Sequence, residues 1–178
     1  MRIKLKHDKD SVLKILKSND IERKLKLLDR IDGVDPKESI KILMKMLEDQ
    51  SWSMRERAAR KLVTYGRRVS SRLQRLLNKG YWYTRASACL ALGEIGDLRT
   101  LEPVIRVFLD DENPTVIKEA GDALVKFARK KPEKFAKKLL VIELQPSELR
   151  TVLFTLERND IELYSEIKEL VMDERRDI

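Results

Sequence analysis

One pattern of residues returns five times along the chain at intervals of 30 to 32 positions, and that repetition limits the fold to an array of like units. The clearest copy sets the offsets with Trp82, Arg85, Ala88, Cys89 and Leu92. The copy before it has Trp52, Arg55, Ala58, Ala59 and Leu62, and an earlier one has Ile21, Lys24, Leu27, Leu28 and Ile31. Downstream stand Pro114, Ile117, Ala120, Gly121 and Leu124, then Pro146, Leu149, Val152, Leu153 and Leu156. The units so defined run over about 20–50, 51–79, 80–111, 112–144 and 145–178, with residues 1–19 left as an N-terminal cap.

Each unit reads as two helices. In the third, Thr84, Ala88, Ala91, Leu92 and Ile95 fall on one face of a 3.6-residue period, and the small side chains at 88 and 89 allow neighbouring helices to approach. Asp20, Ser51 and Asn113 are placed to cap the first helices, and Pro114 and Pro146 stand where a missing N–H costs nothing. Gly96 should end the third unit's first helix and Asp97 cap the next. Second helices are expected over 36–48, 67–79, 98–110, 132–143 and 160–173, the earliest opening on the capping-box sequence Asp35-Pro36-Lys37-Glu38. Ile40, Leu43, Met44 and Leu47 give it an inward stripe, as Leu101, Val104, Ile105 and Phe108 do in the third unit. Residues 8–17 add an amphipathic helix through Val12, Leu13, Ile15 and Leu16 to cover the open face of the first unit, and the highly charged last helix serves the other end. No stretch alternates with period two, so the expected class is all-α: a right-handed α-solenoid of about five helix pairs plus an N-terminal capping helix, forming a single domain.

Charged residues reach 38% against 42% hydrophobic, which implies a large solvated surface. Lysine and glutamate abound while glutamine and asparagine number only three and four, a bias shared with thermophile proteins. The net charge of +8 is uneven: residues 51–79 carry nine basic groups against Glu56 alone, and residues 143–178 carry five against ten acidic ones. One cysteine and one histidine, Cys89 and His7, exclude an internal disulfide framework and argue against a zinc site. No signal peptide or membrane span is apparent, so a cytoplasmic location is expected, with no cofactor and no metal.

The run from Trp82 to Asp97, Trp-Tyr-Thr-Arg-Ala-Ser-Ala-Cys-Leu-Ala-Leu-Gly-Glu-Ile-Gly-Asp, followed by Leu101-Glu-Pro-Val-Ile105, closely resembles the HEAT-like repeat of the bilin-lyase-like family and of designed proteins built from it. The resemblance is specific over 81–109, partial in the flanking units, and departs at Ile117 and Leu149, where the family has arginine, and at Val63, where it has glycine. It implies that the arginines at 55 and 85 pair with an inter-repeat acid to form a ladder. It also implies that the helix face opposite the core lines a concave groove in which partners are held. Carried across, the groove positions include Trp52, Ser53, Glu56, Arg57, Arg60 and Thr64, then Trp82, Tyr83, Ala86, Ser87, Leu90 and Glu94. In the fourth and fifth units they include Thr115, Lys118, Glu119, Asp122, Lys126, Ser147, Arg150 and Phe154.

Catalysis finds little support. Cys89 lies at a small core position far in sequence from the lone histidine, so no base is placed beside a nucleophile. Gly93-Glu-Ile-Gly96 follows no strand and lacks the Gly-Lys-Ser/Thr of a phosphate loop. Asp110, Asp111 and Glu112 precede a helix start, where acids favour the helix dipole. A lyase activity would rest on the resemblance alone.

The expected function is therefore non-catalytic recognition of a partner protein with an acidic and apolar surface. Trp52, Arg57, Arg60, Trp82, Tyr83, Ser87, Leu90, Lys118 and Phe154 are the candidate contacts, rich in the aromatic and arginine types that dominate interfaces. The competing placement for Trp52 and Trp82 is as staples folded back on the preceding helix. The alternative function is nucleic-acid binding through Arg57, Arg60, Arg67, Arg68, Arg72, Arg75 and Lys79, weakened because the arginines divide between two helices facing opposite sides.

Overall fold

A computed structural model describes residues 9–176, with side chains over 11–172. His7 and the start of the capping segment lie outside the described residues. Eleven α-helices make up nearly all of it, and no strand occurs among the described residues. The chain groups into two compact units, Met1–Val69 and Ser70–Ile178, so that the division runs through the second helix pair.

The first unit contains α1 (Lys9–Lys17), α2 (Ile21–Asp29), α3 (Pro36–Met46) and α4 (Trp52–Val63). Their starts follow from the caps: the side chains of Asp20, Asp35 and Ser51 accept from the amides of Arg23, Lys37 and Met54. α1 packs on α2, and α2 and α3 pack on α4. The core between them is formed by Leu27, Leu28, Leu43, Met46, Met54 and Leu62, all almost without exposure. Met44, expected in the inward stripe of α3, is only half-buried, and Ile42 and Met46 fill the core instead.

The second unit holds α5 (Ser70–Leu77), α6 (Trp82–Ile95), α7 (Leu101–Asp110), α8 (Pro114–Lys130), α9 (Pro132–Val141), α10 (Pro146–Asn159) and α11 (Ile161–Arg176). Asn113 accepts from the amides of Thr115 and Val116, and Pro114, Pro132 and Pro146 open three of these helices. α6 is the central element. It packs against both α5 and α8, and residues 84, 86–89 and 91–93 are all buried, so it has no single polar face. Gly96 ends it in the left-handed region at φ 68°, with its N–H donating to the carbonyl of Leu92. Gly93 has a different reason to be glycine: a Cβ there would lie 2.7 Å from Cα of Ala123 on α8. The close approach of the two helices depends on that missing carbon.

Two second helices begin later than the hydrophobic period predicts, each after a short 3-10 turn. Before α7, residues Leu98–Thr100 form that turn because Asp97 accepts from the amide of Arg99 and its carbonyl takes both the N–H and the hydroxyl of Thr100. Before α5, Gly66–Arg68 do the same after Gly66 turns the chain at φ 56°. The helix expected over 67–79 is thereby shortened to Ser70–Leu77.

Candidate functional site

Three consecutive aromatic residues stand where α6 begins. Gly80 turns the chain at φ 98°, Tyr81 is extended, and Trp82 and Tyr83 enter the first helical turn. The rings of Tyr81 and Tyr83 stack with centroids 5.1 Å apart and 16° between planes, and Trp82 meets Tyr83 edge-on at 5.6 Å and 77°. These are favoured aromatic geometries, and they fix the group at little further entropic cost. Trp82 remains 43% exposed and Tyr81 more so, while Tyr83 is half-buried beneath them. Tyr81 escaped the repeat-based selection because it precedes the helix. The signal that marks it is the unbroken aromatic run Tyr81-Trp82-Tyr83.

One turn later, Arg85 ties this helix start to the α7–α8 connection. Its Nε donates to Asp111 Oδ2 at 2.6 Å and its Nη2 to Asp111 Oδ1 at 2.9 Å, while Nη1 donates to the carbonyl of Gly80 at 3.1 Å. The guanidinium holds the Asp111 carboxyl below its ordinary range, and Asp111 in turn raises Arg85. The ladder implied by the family resemblance is present here and has a counterpart in the first unit, where Lys24 at the matching position is buried against Asp49. Arg55 differs. It is buried, and its Nη1 donates to the carbonyls of Asp49 and Gln50. Beyond Asp111 the polar link changes direction, with Arg106 of α7 donating to Glu148 and to the carbonyl of Glu143.

The other candidate contacts of the second unit lie on three successively packed helices. Leu90 on α6 is half-buried, Lys118 on α8 is exposed and ion-paired with Asp122 at 2.7 Å, and Phe154 on α10 is exposed. Asp122 raises the Lys118 ammonium above its ordinary value. Glu94 meets Lys126 at 2.9 Å and so joins α6 to α8. Ser87 does not belong to this surface. It is 2% exposed, and its hydroxyl donates to the carbonyl of Tyr83 one turn back. Ala86 is buried as well, because α6 is enclosed by two helices rather than one.

Trp52, Arg57 and Arg60 belong to the first unit. Trp52 is 46% exposed, with the Arg55 guanidinium 5.7 Å from its ring centroid, so neither tryptophan is covered as a staple would be. Arg57 and Arg60 are exposed, and Arg60 is held by Glu56 at 2.8 Å. Of the basic residues considered for nucleic acid, Arg67 and Arg68 are exposed on the 3-10 turn of the first unit. Arg72, Arg75 and Lys79 belong to the second, where Arg72 is half-buried. The first unit carries 19 basic and 11 acidic residues and the second 19 of each, so the entire net charge resides in the first.

Cys89 is buried and free, and burial raises its thiol far above the ordinary value, the reverse of an activated nucleophile. No group of His, Cys, Asp and Glu suited to a metal occurs among the described residues. None of the described helices is long and apolar enough to cross a membrane.

No curated protein matches the chain. Residues 69–151 match the family model of HEAT repeats, a span that takes in α5 to α9 and the start of α10, including the aromatic group and the Arg85–Asp111 pair. That match and the consecutive helix pairs support a HEAT-like repeat protein.

Proposed function

We propose that the protein is a non-catalytic scaffold that holds a partner protein on the face of its second unit built around Tyr81, Trp82 and Tyr83. HEAT repeats generally serve as protein-interaction scaffolds, and the observation that carries the reading for this chain is the ordered aromatic group left open at the start of α6. Large rings already fixed against one another bury area on binding without losing much freedom, which is the property of interface anchors. In this reading Leu90, two turns further along α6, and Lys118 and Phe154 on α8 and α10 extend the surface, and the exposed Arg75 and Lys79 shortly before the aromatic run favour a partner with acidic as well as apolar groups. The test is parallel capture from the native extract with the intact protein and with a Tyr81→Ala/Trp82→Ala variant of unchanged helicity. A protein retained by the first and lost by the second supports this reading; identical retained sets refute it.

The alternative reading, nucleic-acid binding, is favoured by the confinement of the net charge to the first unit and by the exposure of Arg57, Arg67 and Arg68 there. It requires affinity for duplex or single-stranded probes that falls steeply with salt, by tenfold or more between roughly 50 and 200 mM. Absence of binding at the lower salt removes it.

A further inference from the structure

The first and last helices of a repeat array each lack a neighbour on one side, and in ordinary capping helices that side is polar. Here both carry apolar side chains into solvent. On α1, Leu13 is exposed beside Lys14 and one turn before Lys17, while Val12 turns into the core. On α11, Leu163, Ile167 and Val171 are buried, whereas Ile161 and Met172 are exposed on the far side beside Glu162, Glu166 and Glu169. None of those three glutamates makes an ion pair among the described residues. The charges of the two faces are opposite: over the described side chains α1 carries Lys14 and Lys17 and no acid, and α11 carries Glu162, Glu166 and Glu169 against Lys168.

We propose that the protein associates head to tail with further copies of itself, the acidic outer face of α11 in one copy docking on the basic outer face of α1 in the next. The charges select contacts between unlike faces. Two α1 faces repel one another, as do two α11 faces, whereas the unlike pair attracts and also covers Leu13, Ile161 and Met172. The contact joins unlike faces, so each copy offers both halves. The net charge of +8 opposes it over longer range, which makes the assembly weak and sensitive to salt. This inference is independent of the partner surface on α6.

Sedimentation velocity of the full chain tests it across a concentration series from about 10 to 500 μM, in low salt with a Debye length of ~20–30 Å and in high salt with one below ~5 Å. The weight-average mass should rise to at least twice the monomer's 20.9 kDa in low salt and return to it in high salt. Two charge-reversed variants fix the surfaces, Glu162→Lys/Glu166→Lys/Glu169→Lys and Lys14→Glu/Lys17→Glu. Each should sediment as a monomer alone, and an equimolar mixture should associate again, because each then offers the face that the other requires. A native protein that stays monomeric at every concentration, or whose association survives high salt, overturns the proposal. So does association that persists in either variant alone, or a mixture of folded variants that fails to associate. Circular dichroism of each variant identifies any loss of fold, and the salt series on the native chain decides the matter without the variants.

Discussion

Arg85 grips Asp111 through two parallel hydrogen bonds, Nε to Oδ2 and Nη2 to Oδ1, and so locks the start of α6 to the connection entering α8. The acid is almost wholly enclosed while the guanidinium is partly open, so the pair depends more on its geometry than on its charge alone. Arg85→Ala leaves Asp111 enclosed without its cation and should cost about 2–3 kcal/mol in urea unfolding. Arg85→Lys should recover only part of this, because an ammonium cannot reproduce the fork. A loss below roughly 0.5 kcal/mol for the alanine variant would show that the ladder is ornamental.

Gly93→Ala tests the contact between α6 and α8. The added carbon would meet both Cα and Cβ of Ala123 at under 3 Å, and backbone does not yield as a side-chain end does. Helix propensity favours alanine by about 1 kcal/mol, so a stabilised variant would mean that the helices are free to part. The expected outcome is a net loss of about 1–3 kcal/mol in thermal or denaturant unfolding, as for other overpacked cores.

The repeat period, the caps at Asp20, Ser51 and Asn113, the glycine stop at Gly96 and the all-α class are legible in the sequence because each rests on local chemistry. Ser87 was misleading for a physical reason. The family resemblance puts it on the groove face, but it stands one turn before Ala91 on the same side of the helix, α6 is enclosed by α5 and α8, and small residues all round a helix allow that enclosure. Gly93 was visible as an interior glycine, yet its partner Ala123 lies 30 positions away and no local rule identifies it. The 3-10 turns that delay α5 and α7 arise from the left-handed Gly66 and the Asp97 cap, whose effect on the following turn a hydrophobic period does not reveal.

Acid should weaken the second unit in a defined window. Hydrogen bonds from Arg99 hold the Asp97 carboxyl at about 2, and the Arg85 guanidinium depresses Asp111 as well. A carboxyl depressed on folding contributes stability that is complete above its unfolded value near 4 and is lost as pH falls through the folded value. Unfolding free energy should therefore drop between about pH 4 and pH 2. Asp97→Asn, which keeps a capping oxygen but not the charge, should flatten that drop by on the order of 1–2 kcal/mol, allowing for solvent screening of the exposed Arg99. Equal pH slopes for variant and native protein would contradict the role of Asp97.

Cys89 should be silent toward a thiol reagent such as a disulfide dye in the folded protein and react fully in denaturant. Its native modification rate should track the opening of the fold and slow further when the fold is stabilised. Rapid labelling under native conditions would contradict the enclosed α6.

The partner surface is most directly tested by the fluorescence of Trp82 in a Trp52→Phe background, where it is the single tryptophan. Free, Trp82 is partly exposed and should emit at a solvated wavelength and be quenched by acrylamide. Saturation with the protein captured through the intact Tyr81-Trp82 group should shift its emission to the blue and lower the quenching constant several-fold. Unchanged emission and quenching in a complex shown to be saturated would place the partner elsewhere and contradict the account.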